Sequence, residues 1–353
     1  MARVAGRTFL RLGGGGDSNP RPPGPQPGAL PTELPPPRSA DKNSRGLKIL
    51  ASRRFPGPAW AELDDVEYLP GALPDGVGGR REDVDALAVV SERVDDKTLD
   101  LLPKLRIVAN YGVGYDSVDV RALAARGVLL TNTPGVLTAA TADLAFALLF
   151  AVRRRVVAGD RAVRESRWHG GWADPDFLGR EVSGSTLGIV GRGRIGRAVA
   201  HRAAAFDMKV LHHSRTRDAG WRELDDLLAE ADAVSIHAPL TDETRGLFDA
   251  RRLSLLRDGA CLVNTARGQI VDEDALVREL VSGRIEAGLD VFVHEPTVPP
   301  ALFGLPNVVL TPHIGSATTE TRDAMTRVLV DNLLAAARGE TPPNLVYPDA
   351  EAP

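Results

Sequence analysis

The run Thr186-Leu187-Gly188-Ile189-Val190-Gly191-Arg192-Gly193-Arg194-Ile195-Gly196 leaves this chain few folds to choose from. Five residues that read as a buried strand, Thr186 to Val190, enter a GxGxxG turn, and a helix pattern from Ile195 to Phe206 follows at once. Gly191 suits the tight turn, Gly193 lets the backbone approach a pyrophosphate, and Gly196 lets the helix settle against the strand. Amides of the first helical turn then face an anion. Glycine-rich turns of this kind also occur for structural reasons alone, so the surroundings decide.

Those surroundings alternate. From Leu47 onward, short Val, Ile, Leu and Ala runs are separated by helix-period segments, the pattern of a parallel sheet with crossover helices, and the fold class is α/β. A first series of strands is expected at Leu47 to Ala51, Ala86 to Val90, Arg106 to Asn110 and Val128 to Thr131, with a helix at Val118 to Ala125. A second series is expected at Thr186 to Val190, Lys209 to His213, Ala233 to His237, Ala260 to Asn264, Glu286 to Asp290 and Val308 to Leu310. One long apolar helix, Ala139 to Glu165, would join them, and a last helix, Ala317 to Ala337, would return to the first lobe. A length of 353 residues also suits two domains rather than one. The expected division is 47–145 with 317–345 for one lobe and 146–316 for the other.

Composition narrows the partners. Forty-three basic residues against 47 acidic ones, a net charge of −4, provide no basic field for nucleic acid. The longest apolar stretch, Leu144 to Val152, is too short to span a bilayer. A lone cysteine, Cys261, excludes an internal disulfide framework and fits a reducing cytoplasm. No histidine falls in a recognisable metal-ligand spacing, so no metal is expected; His169, His201, His212 and His213 read as surface or packing residues. Residues 1–46 differ from the rest, with nine of the 26 prolines between Pro20 and Pro37 and four glycines at Gly13 to Gly16. Such composition buries no core, so the stretch reads as a disordered leader or as coding sequence upstream of the true start. A transit peptide is the rival reading, and its amphipathic helix would be broken by this much Gly and Pro.

The dinucleotide itself can be typed. About 20 residues beyond the glycine motif an NAD site offers an acid to the ribose 2′-hydroxyl, but here the strand ends in Ser214-Arg215-Thr216-Arg217. A hydroxyl and a planar guanidinium bind a 2′-phosphate that a carboxylate would repel, so NADP(H) is favoured over NAD(H). Asp218 is a possible substitute acid, at a late spacing.

Three further segments end in polar residues where parallel strands should present their carboxyl ends, the ligand-binding edge of such sheets. They are Asn264-Thr265-Ala266-Arg267-Gly268, Asp290-Val291-Phe292-Val293-His294-Glu295-Pro296 and Thr311-Pro312-His313-Ile314-Gly315-Ser316. Together with the glycine loop they resemble the D-2-hydroxyacid dehydrogenase family, whose signature is an Arg, a Glu and a His in that order. The resemblance covers about Leu47 to Pro343. It is closest to glyoxylate and hydroxypyruvate reductases through Ala140 to Leu149, Arg167-Trp168, Leu178 to Glu181 and Ser214 to Arg217. Related 2-ketogluconate reductases share these features.

The resemblance implies two wound parallel-sheet lobes, a flavodoxin-like substrate domain and a Rossmann dinucleotide domain, in a homodimer acting on a small 2-oxo or 2-hydroxy acid. The chemistry asks for these residue types. A 2-oxo acid needs a fixed cation to polarise its ketone and pair with its carboxylate, which Arg267 can supply. The oxygen that gains charge needs an acid, and His313 is assigned that role. Glu295 would orient the imidazole and stabilise its protonated form.

Asn110-Tyr111-Gly112-Val113-Gly114-Tyr115-Asp116 can form an anion nest or a plain tight turn. The resemblance puts the substrate carboxylate on Val113 and Gly114. It also implies cofactor contacts from Gly191, Gly193, Arg194, Ile195 and Gly196 of the phosphate loop and from Ser214, Arg215 and Thr216. His237, Pro239 and Thr244 would lie along the cofactor. Thr265, Ala266, Asp290, His313 and Gly315 would surround the nicotinamide, with Asp290 on its carboxamide. Arg192 stands where relatives commonly carry an apolar residue, and would reach solvent or phosphate. His294, Cys261 and the two tryptophans Trp168 and Trp172 have plainer readings: a neighbour of the acid, core filler, and either a lid on the pocket or a dimer contact. A cofactor-sensing corepressor is the non-enzymatic alternative.

Overall fold

The computed structural model describes residues 46–170 and 177–347; the expected leader, apart from Gly46, and Trp172 lie outside the described residues. The first series of elements is β1 (Ile49–Ala51), β2 (Val66–Tyr68), β3 (Ala86–Val89), α1 (Asp96–Leu101), β4 (Ile107–Asn110), α2 (Val120–Ala125) and β5 (Leu129–Thr131). Two helices follow, α3 (Thr138–Arg153) and α4 (Val156–Arg164). The second series runs β6 (Thr186–Val190), α5 (Arg194–Ala204), β7 (Lys209–His213), α6 (Leu224–Glu230), β8 (Ala233–Ile236), α7 (Ala250–Leu255), β9 (Cys261–Asn264), α8 (Glu273–Val281), β10 (Glu286–Leu289) and β11 (Val308–Leu310). The chain closes with α9 (Thr319–Ala337) and β12 (Leu345–Val346).

These elements form two six-stranded sheets, ordered β12-β5-β4-β3-β1-β2 and β11-β10-β9-β8-β6-β7. Every pairing is parallel except β12 on β5. Strands β3, β4, β8 and β9 are buried along their whole length, because crossover helices cover both faces. In each sheet the chain runs outward on one side of its first strand and then restarts on the other. This creates a switch point at β1/β3 and another at β6/β8, where a crevice opens beyond the strand ends.

The expected long helix is two helices. Three successive arginines, Arg153 to Arg155, close α3, and Arg155 takes the left-handed conformation at φ 52°. The Arg153 carbonyl accepts the Arg180 amide at 2.7 Å, so a neighbouring segment takes the place of the next helical turn. Arg153 itself is buried, donating to the Gly259 and Glu181 carbonyls at 3.0 and 3.1 Å. Apolar periodicity does not register this interruption, since α4 carries its own apolar stripe in step with α3. Strands β2 and β12 carry no strong apolar run and are not expected from the pattern.

Two segments cross between the sheets. Helix α3 buries Ala142, Leu148, Leu149 and Val152 among Leu187, Ile189 and Val263 of the second sheet. Helix α9 returns to the first, where Met325, Leu329, Val330 and Leu333 pack on Ile49, Ala86 and Ile107. Among the described residues no helix is long and apolar enough to cross a membrane. Leu329 is fully buried in this cluster, so Leu329→Ala is expected to cost about 2–5 kcal/mol in urea unfolding. An unchanged unfolding midpoint would contradict the docking of α9 on the first sheet.

Candidate active site

The site grows from the loops at the carboxyl ends of β9, β10 and β11. Strand β9 ends in buried Asn264, whose Oδ1 accepts the Ala266 amide at 3.0 Å and whose Nδ2 donates to the Arg267 carbonyl at 2.9 Å. One side chain thus shapes the turn that carries Arg267. At the next residue, Gly268, a Cβ would lie 2.1 Å from the Phe292 carbonyl carbon, so only glycine lets this turn rest on the segment after β10. Gln269 Nε2 ties the contact at the Val293 carbonyl, at 2.9 Å. Glu295 is thereby brought within electrostatic reach of Arg267.

His313, after β11, has φ 52°, a left-handed conformation uncommon for a residue with a side chain. Asp290 imposes it. The His313 amide donates to the Asp290 carbonyl at 2.9 Å, and the Ile314 and Gly315 amides donate to Oδ1 and Oδ2, each at 2.8 Å. Thr311 Oγ1 donates to Oδ1 as well, at 2.6 Å. Burial pushes the Asp290 carboxyl up, and these hydrogen bonds with the nearby His313 act against that shift. Within the protein, then, this carboxylate meets the His313 turn.

The turn sets the imidazole against Glu295, with His313 Nδ1 2.7 Å from Oε2. A carboxylate acceptor calls for a proton on Nδ1 and leaves Nε2 as the working edge of the ring. Glu295 Oε1 accepts the Phe292 amide at 3.1 Å. Burial pushes the Glu295 carboxyl up, but the hydrogen bond and charge of His313, the Phe292 amide and Arg267 outweigh it, so the group sits below its ordinary range. Glu295 is therefore an anion at neutral pH.

Arg267 reaches across to the first lobe. Its Nε donates to Asp116 Oδ1 at 2.9 Å and its Nη1 to the Ala266 carbonyl at 2.8 Å. Nη2 lies over Gly114, where a Cβ would stand 1.9 Å away. The Val113-Gly114 turn, Arg267, Glu295 and His313 thus share one cleft. Asp116 is a site residue that the sequence reading misses, although it lies in the same glycine-flanked run as Val113 and is a carboxylate facing an arginine.

The second crevice fits a dinucleotide. Gly191, at φ 91°, belongs to the loop after β6, and a Cβ there would lie 2.5 Å from the Ala238 amide nitrogen of the loop after β8. At Gly196 a Cβ would strike the Gly191 carbonyl at 2.1 Å, whereas at Gly193 it would meet nothing within 4 Å. The loop is therefore closed on its inner side and open where phosphates would approach. Arg194 and Ile195 begin α5, an eleven-residue helix whose N-terminus faces that opening. Thr265 Oγ1 is buried with no hydrogen-bond partner among the described residues, a polar atom suited to a ligand. Pro239 and Thr244 are joined, the Thr244 hydroxyl donating to the Pro239 carbonyl at 2.6 Å.

After β7, Ser214 Oγ donates to the Thr216 carbonyl at 2.9 Å and lies 3.1 Å from His212 Nδ1. Arg215 follows it, and Arg217 stacks on Trp221 with its guanidinium carbon 4.2 Å from the ring centroid. Arg192 is partly exposed, its side chain 29% accessible. It forms an ion pair with Asp218, which also lies 2.7 Å from Nε2 of buried His212. This link between the phosphate loop and the loop after β7 is invisible in the sequence; an arginine and an aspartate 26 residues apart give no signal before the sheet sets them side by side.

His237, at the end of β8, has Nε2 2.8 Å from Ser235 Oγ, and burial pushes its ring down to about 4. An unfolded histidine takes up a proton near 6.5, so between these values the unfolded chain binds more protons. Stability from this group is complete above about pH 6.5 and declines as pH falls toward 4, by at most about 1.4 kcal/mol per pH unit. Urea unfolding of His237→Asn at pH 7.5 and pH 5 is expected to lose less stability on acidification than the wild type; parallel losses would contradict a His237 held neutral in the folded protein.

Comparison with known proteins agrees with this geometry. Residues 146–315 match the family described as D-isomer specific 2-hydroxyacid dehydrogenase, NAD binding domain. The glyoxylate reductase of Thermococcus litoralis is 49% identical over 294 residues, 79% of this chain and 89% of the relative. The TT0316 protein of Thermus thermophilus superposes with a TM-score of 0.79 at 45% identity, covering 84% of this chain and 99% of that one. An NADPH-dependent glyoxylate/hydroxypyruvate reductase of Sinorhizobium meliloti, solved with NADP and malonate, superposes with a TM-score of 0.76 at 36% identity, over 86% and 97%. With its two wound sheets, its dinucleotide crevice and this kinship, the chain belongs to the D-isomer specific 2-hydroxyacid dehydrogenase family and is an NAD(P)-dependent oxidoreductase.

Proposed function

We propose that the protein uses NADPH to reduce a small 2-oxo acid, glyoxylate or hydroxypyruvate, to the 2-hydroxy acid, the D isomer in the case of hydroxypyruvate. The observation that carries this reading is the His313–Glu295 pair at 2.7 Å, within electrostatic reach of the Arg267 guanidinium that lies against Gly114. Bound reduced nicotinamide supplies a hydride to the substrate's C2. Arg267 pairs with the substrate carboxylate and polarises the C2 carbonyl, and the Val113 and Gly114 amides receive the other side of the carboxylate. As C2 gains its C–H bond, its oxygen gains the electron pair of the C=O π bond, and His313 Nε2 delivers the proton that completes the hydroxyl. Glu295 stabilises the imidazolium before that transfer. In the oxidative direction the same nitrogen accepts the proton.

Substrate choice is supported by the names of the relatives, glyoxylate reductase and glyoxylate/hydroxypyruvate reductase. NADPH preference is supported by Ser214 and Arg215 at the end of β7 and by the engagement of the nearby acid, Asp218, with Arg192 and His212. Thr216, His237, Pro239, Thr244, Thr265, Ala266, Asp290 and Gly315 complete the cofactor contacts in this reading. Residues 47–145 with 317–345 form the substrate domain and 146–316 the dinucleotide domain, and a cytoplasmic setting suits the lone buried Cys261. A homodimer is supported by apolar side chains left in water near α4: Val156 and Val163 are 55% and 59% exposed, and Trp168 and Leu178 61% and 62%.

Purified protein should oxidise NADPH in preference to NADH, with glyoxylate and hydroxypyruvate ahead of 2-ketogluconate; preference for the sugar acid would reassign the substrate, and no turnover with any 2-oxo acid would favour a cofactor-sensing role. His313→Ala is expected to lower kcat about 10²–10⁴-fold with cofactor affinity retained. Ser214→Ala with Arg215→Ala should weaken NADPH far more than NADH, and equal losses would remove the 2′-phosphate assignment. In light scattering, Val156→Asp with Val163→Asp is expected to turn a dimer into a monomer; an unchanged mass would place the interface elsewhere.

A further inference from the structure

The turn after β4 is built from behind by two asparagines. Asn110, fully buried at the end of β4, donates from Nδ2 to the Gly112 carbonyl at 3.2 Å and to the Gly114 carbonyl at 3.0 Å. Asn132, just past β5 and 7% exposed, donates from Nδ2 to the Val113 carbonyl at 2.9 Å. The Thr133 amide adds a second bond to the Gly112 carbonyl at 3.0 Å. Three successive carbonyls are thus drawn into the protein. In a trans peptide the N–H points opposite to the preceding C=O, so fixing these carbonyls inward turns the amides of Val113, Gly114 and Tyr115 outward. Among the described residues none of these three amides has a backbone or side-chain acceptor. Arg267 Nη2 lies against the same turn, 1.9 Å from where a Cβ on Gly114 would stand.

The asparagines are held in turn. The Asn132 carbonyl accepts Asn332 Nδ2 at 3.3 Å, and its amide donates to the Asn344 carbonyl at 3.3 Å. Asn332, fully buried on α9, accepts the Asn344 amide at 3.0 Å through Oδ1. This lattice of amide groups joins the turn to α9 and to the segment leading into β12. Burying so many amides is costly unless they are paired, and the pairs they make converge on one turn. Asn110 Oδ1 has no hydrogen-bond partner among the described residues, so its orientation is set by the two carbonyls its Nδ2 serves.

We propose that Asn110 and Asn132 are positioning residues for a carboxylate ligand: they hold three carbonyls inward so that the Val113, Gly114 and Tyr115 amides and Arg267 present one anion-binding face. This rests on the proposed reduction of a 2-oxo acid, whose carboxylate is the anion in question. Neither asparagine touches the ligand. Each acts through the backbone, a role that separates binding from chemistry.

The test is Asn132→Leu, near in shape and without the donor, with Asn132→Ala as the second variant should the first fail to fold. Oxalate binding to the cofactor-loaded enzyme is measured by calorimetry beside glyoxylate kinetics. Oxalate affinity is expected to fall, and glyoxylate KM to rise, by about tenfold or more, since a tenfold change is the size of one well-placed hydrogen bond. The kcat value and NADPH affinity should stay within about threefold. A folded variant that binds oxalate as tightly as wild type overturns the proposal, and so does one that loses kcat and NADPH affinity together with oxalate, which would mark a general loosening. Wild-type protein that binds oxalate but does not reduce glyoxylate would sink the proposed reaction and leave the carboxylate site standing.

Discussion

The close contact of Gly268 with the Phe292 carbonyl is the constraint on which the site depends. Arg267 and Glu295 belong to loops after different strands, and each strand supplies only a direction. What brings the guanidinium near the carboxylate is a backbone-to-backbone approach that no side chain would tolerate. Glu295 then holds His313, and Asp290 holds the unusual turn that presents it. Each charged group is fixed by a neighbour that is itself buried or hydrogen-bonded, so the site is organised before any ligand arrives. Preorganised dipoles and charges of this kind need little rearrangement as charge develops on a substrate.

The cleft adds a second layer. Arg267 stands on the dinucleotide side but is tied through Nε to Asp116 on the other, so the guanidinium also bridges the two sheets. Helices α3 and α9 cross between the sheets in opposite directions, each buried in the sheet it reaches. The lobes are therefore joined by packed helices and by a polar bridge within the cleft itself. Relative motion of the lobes would move Arg267 and the Val113-Gly114 turn together or apart.

Much of this was legible in the sequence because the signals are local. Strands β6, β7 and β11 fall where apolar runs place them, and GxGxxG marks the crevice through the steric needs of Gly191 and Gly196. Arg267, Glu295 and His313 stand at strand ends in the expected order and meet in space. What could not be read depends on long-range pairing. The break between α3 and α4 follows from the Arg180 amide taking the Arg153 carbonyl, 27 residues away, and periodicity carries no trace of it. Asp116, Arg192 with Asp218, and the amides of Asn110 and Asn132 gain meaning only when the sheets set their partners beside them. The Asp290 carboxylate, expected beside the nicotinamide, reveals through its three hydrogen bonds that it also shapes the His313 turn.

The central claim is that one small acid can lie at once on the Val113 and Gly114 amides, on Arg267 and beside His313. A crystal structure of the ternary complex with NADP⁺ and oxalate measures it most directly. The account predicts one carboxylate on the two amides and Arg267, with an oxygen of the other within hydrogen-bond distance of His313 Nε2. Oxalate bound away from these groups, or an imidazole turned from it with the Glu295 bond broken, would contradict the account.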